Sequence, residues 1–269
     1  MNLYDGNGVM IPIGGGGDSK RPWLNIAHAG TAPDAYGNSL YAFNRSHEYG
    51  FDGIELDVRL TADNVVVNCH NSEVTGTDSH GVTKTLTIAT STYAEIADLT
   101  RFTIDGVPYN TLRFDDIIRM AFYWNWFIQL DVKTAGNAAA CMEECAHIIR
   151  NNGMIGKVMY MGSMDGTLLG KVLDDDPLAI FNVGNSTDIS QSVYADIPPE
   201  RVWIAIKQSE FPASMDDVQR NHPLYIWDVG AAGANACMEL RPQLIQWGGG
   251  SDGPSLSDTF LANVDWSFT

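Results

Sequence analysis

From Trp23 onward, short runs rich in β-branched and aromatic residues alternate with stretches whose apolar positions recur at helical spacing. Eight runs read as strands: LNIAH (24–28), GIELDV (53–58), FIQLDVK (127–133), KVMYM (157–161), LAIFNV (178–183), RVWIAI (201–206), LYIWDV (224–229) and LIQWG (244–248). Between them SLYAFNRSHEY (39–49), DDIIRMAFYW (115–124), AAACMEECAHIIRN (138–151) and DGTLLGKVLD (165–174) carry helical periodicity. Eight strands with helices between them predict a (β/α)8 TIM-type barrel, with a doubly wound open sheet as the other arrangement the pattern allows.

One run breaks the alternation. VVVNC (65–69) follows GIELDV too closely for a crossover helix, so the pattern predicts an antiparallel β-hairpin after the second strand. A turn centred between Ala62 and Asp63 would set Glu55 opposite His70 and Asp57 opposite Asn68. Ahead of the first strand, Gly14 to Gly17 read as a flexible tether, dividing a leader (1–22) from a single barrel domain (23–269).

The chain has 269 residues, with 33 acidic against 16 basic side chains and a net charge of −17. That imbalance argues against nucleic acid or an anionic membrane as a partner. It also means that an anionic substrate needs a local cation, for which a divalent metal is the obvious candidate. No apolar run approaches the roughly 20 residues of a transmembrane helix. The first 20 residues lack the charged and apolar regions of a secretory signal, so the expected location is cytoplasmic. Cys69, Cys141, Cys145 and Cys237 are too few and scattered for a disulfide framework and read as reduced core thiols.

Glu55 and Asp57 are two apart in an extended run, so both carboxylates share one face. On a solvated edge such a pair is unremarkable, whereas on the crowded inner face of a barrel it calls for a hard cation such as Mg²⁺ or Ca²⁺. Asp131 and Lys133 repeat the spacing, either as a mutual ion pair or as a third metal ligand beside an anion-binding ammonium. His28 closes the first predicted strand and His70 the hairpin's return strand. Either can be structural alone, but together beside carboxylates they suit divided general-acid and general-base roles.

These residues sit in an ordered set: His28-Ala29-Gly30, Asn38-Ser39-Leu40-Tyr41-Ala42-Phe43, Gly53-Ile54-Glu55-Leu56-Asp57-Val58 with Thr61-Ala62-Asp63, then Cys69-His70-Asn71. Farther on come Asn110-Thr111-Leu112, Asp131-Val132-Lys133, Ser163-Met164-Asp165 and Trp227-Asp228-Val229. The set resembles the glycerophosphodiester phosphodiesterase family, whose pattern reads roughly HRG, ENTxxAF, GxxxExDVxxTxDG, HD, PTL, E-x-K, SFD and WTV. The resemblance implies a PI-PLC-like barrel holding one divalent cation, Mg²⁺ or Ca²⁺, at the C-terminal ends of the strands. It implies His28 and His70 as the acid–base pair and Glu55, Asp57 and Asp131 as metal ligands. Lys133 would contact the phosphate, and Trp227 would wall the substrate pocket. The implied reaction is hydrolysis of a glycerophosphodiester to glycerol phosphate and an alcohol, with the segment around 71–113 as an insertion shaping the mouth.

Departures accompany the likeness. Ala29 replaces an arginine, Gly37 a glutamate, Asn71 an aspartate, and Asp131 is one methylene shorter than the usual glutamate. Two other readings remain: a phospholipase-type lyase releasing a cyclic phosphate, and a catalytically silent barrel used as a binding module. The leader LYDGNGVMIPIGGGG is similar to openings of phage-tail-associated proteins. That likeness implies a glycerol-phosphate polymer as an alternative to a small phosphodiester, and a virion-associated or signal-less exported protein as alternatives to a cytoplasmic one.

Overall fold

The computed structural model describes residues 24–31, 36–133, 137–162, 164–183, 193–207, 222–229 and 244–247. The expected leader and Cys237 lie outside them.

The barrel is built from β1 (Leu24–Ala27), β2 (Gly53–Leu60), β8 (Phe127–Val132), β9 (Val158–Met161), β10 (Ile180–Asn182), β11 (Val202–Lys207), β12 (Leu224–Val229) and β13 (Leu244–Trp247). All eight neighbouring pairs run parallel, and β1 closes the sheet by pairing with both β2 and β13. The open-sheet arrangement is thereby excluded. Helices α1 (Leu40–Glu48), α3 (Phe114–Trp124), α4 (Ala138–Asn151) and α5 (Gly166–Asp175) return the chain between strands and match the predicted helices to within a residue or two. Ser39 starts α1 by accepting the Ala42 N–H, and Asp165 starts α5 by accepting that of Leu168.

Strand alternation sorts the barrel's side chains into two layers. Ile54, Leu56, Val58, Ile128, Leu130, Ile204 and Ile226 face the helices, whereas Leu24, Ile26, Phe127, Met159, Ile180, Trp203 and Tyr225 fill the interior. Apolar interior packing at the N-terminal end leaves the C-terminal mouth to polar residues. Cys69, Cys141 and Cys145 are buried free thiols, as expected.

The hairpin is present, with β3 (Val66–Asn68) antiparallel to β2, but its register differs from expectation by one residue. Val58, not Asp57, faces Asn68. The cause is a three-residue loop, 62–64. Thr61 N–H donates to the Val65 carbonyl at 3.0 Å, Val65 N–H donates back to Thr61 Oγ1 at 2.9 Å, and Asn64 takes the left-handed conformation (φ 60°). Because strand faces alternate, the shift takes His70 out of step with Glu55.

The 71–113 segment is an insertion with its own four-stranded antiparallel sheet: β4 (Glu73–Thr77), β5 (Thr83–Thr87), β6 (Thr100–Ile104) and β7 (Val107–Asn110), in the order β5-β4-β6-β7. A short helix, α2 (Tyr93–Ala97), starts with a capping box between Thr92 and Glu95. Val67, Cys69, Val74, Ile88, Ile96 and Leu99 form its small core against the hairpin.

Asp176, just past α5, ties that helix to β9. Its carboxylate accepts the Gly156 N–H at 2.9 Å and the Tyr160 hydroxyl at 3.3 Å. Burial raises its pKa from the ordinary 3.8 to about 6, against the opposing pull of the Gly156 and Leu178 N–H groups. The folded state therefore holds a proton that the unfolded chain releases near 3.8. This contribution is fully present below that value and is lost as pH rises through 6. Asp176→Asn keeps an acceptor for Gly156 and is expected to be more stable than the parent at pH 7.5, by on the order of 2 kcal/mol, with no gain at pH 4. Urea unfolding at both pH values checks this, and an equal loss at both would refute it.

Candidate metal and phosphate site

The site begins where β1 ends. Ala29 and Gly30 both take left-handed backbone conformations (φ 51° and 79°), which turn the chain sharply after His28. At Gly30 a side chain would also collide with Ala42, its Cβ coming within 2.8 Å of the Ala42 Cβ, so only glycine fits. The turn aims the Ala29 N–H at Glu55 Oε2, 3.0 Å away. Thus the position lacking the family's arginine side chain still orients a carboxylate through its backbone.

Asn38, also left-handed (φ 53°), clamps the next carboxylate. Its Nδ2 donates to Asp57 Oδ2 at 2.7 Å, and its Oδ1 accepts the Asp57 N–H at 3.1 Å and Asn68 Nδ2 at 2.7 Å. Arg101, from the insertion, donates through Nη1 to the Asn38 carbonyl at 2.8 Å. The insertion therefore braces the residue that orients Asp57.

β8 supplies the third carboxylate. Parallel pairing sets Asp131 beside Asp57 and Gln129 beside Glu55. Glu55, Asp57 and Asp131 each offer an oxygen atom within 4.8 Å of the others'. Glu55 and Asp57 are each 2% exposed. Lys133 Nζ bridges Asp57 Oδ1 at 2.8 Å and Asp131 Oδ2 at 2.7 Å. Burial opposes its charge, but the two carboxylates outweigh burial and hold the ammonium protonated above its ordinary range.

Three carboxylates against one ammonium leave two negative charges in a nearly dry pocket. The consequence falls on Glu55: burial, then the nearby Asp57 and Asp131, push its pKa well above the ordinary carboxylate range. A divalent cation would cancel this excess, and an all-oxygen donor set suits Mg²⁺ or Ca²⁺. The residues present therefore fit such an ion.

His28 Nε2 lies 3.7 Å from Glu55 Oε2, with its side chain 27% exposed. His70 is placed differently. The Cys69 N–H donates to the Asp57 carbonyl at 3.0 Å, and Arg59 donates to the His70 carbonyl at 3.1 and 2.6 Å, so the backbone is held beside the cluster. The ring is exposed and pairs with Asn71 Oδ1 at 3.1 Å rather than with a carboxylate. Trp227 packs half-buried on the barrel interior, and Lys207 lies over its ring, 5.2 Å from the centroid.

The structure thus gathers His28, Glu55, Asp57, Asp131 and Lys133 on adjoining strands, while Trp227 stands on β12 across the mouth. Three neighbours escaped the sequence reading as site residues. Asn38 lay within a recognised motif without a role. Lys207 ends its strand in step with inward-facing Trp203 and Ala205, the same signal that marked Lys133. Arg101 belongs to the insertion and carries no local signal.

A closed parallel barrel with an acidic cluster and a lysine at its C-terminal mouth defines a TIM-barrel protein with its candidate site at the end where such barrels carry theirs. Residues 27–155 match the glycerophosphoryl diester phosphodiesterase family. Those residues are just under half of the chain, and over them it is similar to that family.

A glycerophosphodiester phosphodiesterase from Caldanaerobacter subterraneus is 42% identical over 66 residues, which is 24% of this chain and 27% of the relative. An uncharacterized Bacillus subtilis protein is 27% identical over 138 residues, 50% of each chain. The chain thus aligns with half or less of the length of these curated relatives. In fold it is similar to a glycerophosphodiester phosphodiesterase from Agrobacterium tumefaciens, at TM-score 0.66 and 19% identity, covering 89% of this chain and 99% of that one. An Oleispira antarctica phosphodiesterase, solved with its product sn-glycerol-3-phosphate, matches at TM-score 0.65 and 15% identity, over 83% and 92% of the two chains. Among the described residues, no helix is long and apolar enough to cross a membrane.

Proposed function

We propose that the protein hydrolyses a glycerophosphodiester to glycerol phosphate and an alcohol, with a divalent cation held by Glu55, Asp57 and Asp131. The observation that carries this reading is the convergence of those carboxylates with Lys133 and His28 at one end of the barrel. The bound cation would supply Lewis-acid polarisation of the phosphoryl oxygens. Lys133 is placed to hold a phosphate oxygen once the cation relieves its carboxylate contacts. Ala29 N–H and Asn38 keep Glu55 and Asp57 oriented, so the site needs little rearrangement on binding.

His28 and His70 divide the proton transfers in this reading. One takes the proton from the neighbouring glycerol hydroxyl as it attacks phosphorus and the other gives one to the departing alkoxide, after which water opens the resulting cyclic phosphate to glycerol phosphate. The family match and the product named for the Oleispira relative support hydrolysis ending in glycerol phosphate.

The test is product analysis. With sn-glycero-3-phospho alcohols and Mg²⁺ or Ca²⁺, glycerol phosphate and free alcohol are expected in equal amounts. Accumulation of a cyclic phosphate would replace hydrolysis with the lyase reading. Metal and substrate binding with no product would leave a binding module.

A further inference from the structure

Asn38 has both of its peptide planes pinned. Its N–H donates to the Ala29 carbonyl at 2.7 Å, and its own carbonyl accepts Arg101 Nη1 at 2.8 Å. A residue has only two soft backbone dihedrals, so fixing the planes on either side of Cα fixes both dihedrals and the direction of Cβ. Here the backbone is left-handed (φ 53°), a conformation that a residue with a side chain keeps only where its surroundings hold it. From that position the carboxamide reaches Asp57, with Nδ2 2.7 Å from Asp57 Oδ2 and Oδ1 3.1 Å from the Asp57 nitrogen.

One of the two pins comes from the insertion. Arg101 follows Thr100 at the start of β6, and Thr100 is the register partner of Thr77 on β4. Gly76 lets those strands approach closely, since a Cβ there would come within 2.7 Å of the Thr100 carbonyl oxygen. Arg101 is half-buried, and burial works against its charge. Among the described residues it meets the Asn38 carbonyl and the face of Phe102, 5.8 Å from the ring centroid, and no carboxylate. Drawing a guanidinium partly out of water has a cost, and the acceptor it finds there is the residue that holds Asp57. Rings strengthen the same junction. Phe102 packs on Tyr36 at 4.8 Å between centroids, and Tyr109 on Tyr41 at 5.8 Å. The insertion therefore grips the chain just before Asn38, at Asn38 and just after it.

We infer that Arg101 is a positioning residue for Asp57, acting through Asn38 and so coupling the insertion to the candidate cation site. This deepens the phosphodiesterase reading and rests on it for the divalent cation. Such coupling is reciprocal: holding Asn38 strengthens cation binding, and a bound cation steadies the insertion.

The test uses the full chain and its Arg101→Met, Arg101→Lys and Asn38→Ala variants, with the Asn38→Ala/Arg101→Met double variant. Mg²⁺ and Ca²⁺ affinities are measured by calorimetry, and amide hydrogen exchange is followed by NMR with and without the ion. Losing an outer-shell partner typically costs roughly 10–100-fold in metal affinity. Asn38→Ala is expected within that range, and Arg101→Met near its lower end, about tenfold. The double variant should bind no more weakly than Asn38→Ala, because the two residues act in series. Arg101→Lys keeps a cationic donor and should recover most of the loss. Without metal, Arg101→Met should speed exchange of the Asn38 and Asp57 N–H groups at least tenfold relative to those of β11. In the parent, the ion should slow exchange along β6. An Arg101→Met affinity within twofold of the parent, or losses that multiply in the double variant, overturns the inference. A parent that binds neither ion yet shows the exchange contrast would instead sink the cation reading and leave Arg101 positioning Asp57.

Discussion

Removing divalent cations is expected to abolish turnover and to lower the melting temperature, with Mg²⁺ or Ca²⁺ restoring both. The electrostatics give the reason. Without the ion, Glu55, Asp57 and Asp131 crowd a pocket that Lys133 only partly neutralises, and burial together with the neighbouring carboxylates raises the Glu55 pKa. At a cation concentration a hundredfold above its dissociation constant, binding adds about 2.7 kcal/mol to stability. In a chain of this size that corresponds to roughly 5–10 °C. Glu55→Gln removes a ligand charge and should cost more activity than the roughly 10–100-fold typical of lost outer-shell partners. Lys133→Met provides an internal control. It strips the internal cation from Asp57 and Asp131, so the metal-free protein should melt lower and gain more from added metal than the parent. Full turnover in chelator would end the metal reading.

Replacing His28 or His70 by Ala should each reduce kcat by roughly 10²–10⁴, the usual range for a lost general acid or base. The double variant should fall little further than the worse single one, because groups that act in one step are not additive. The two singles should differ in everything except rate. His28 stands 3.7 Å from Glu55, so its removal should also shift metal affinity. The His70 ring is exposed and bonded to Asn71, so its loss should leave metal affinity and melting temperature unchanged. Near-parental kcat in His70→Ala would confine that ring to a structural role, whatever happens at His28.

Much of this site was legible in the linear chain because its logic is local. Two-residue spacing within a strand put Glu55 with Asp57 and Asp131 with Lys133 on common faces, and parallel pairing of β2 with β8 then brought the two faces together. The hairpin was legible too, but its register was not. That depended on Asn64 adopting a left-handed conformation in a three-residue loop, a choice fixed by the Thr61 and Val65 hydrogen bonds. The shift of one residue set Val58 rather than Asp57 opposite Asn68.

Arg101 and Lys207 mark the boundary of what local reasoning reaches. Arg101 braces Asn38 across 63 positions of sequence, out of an insertion whose strands pair among themselves. Lys207 meets an indole ring only because β12 lays Trp227 beside it. The sequence alone determined the eight strands, the intervening helices and the parity of the acidic residues, because periodicity and strand alternation act over a few residues. Tertiary structure alone decided which strand ends meet. That choice follows from closure of the sheet, where Leu24 pairs with Leu244 and the Trp247 indole donates to Asn25. Contacts spanning some 220 positions depend on the summed twist and packing of every element between them, which no local pattern encodes.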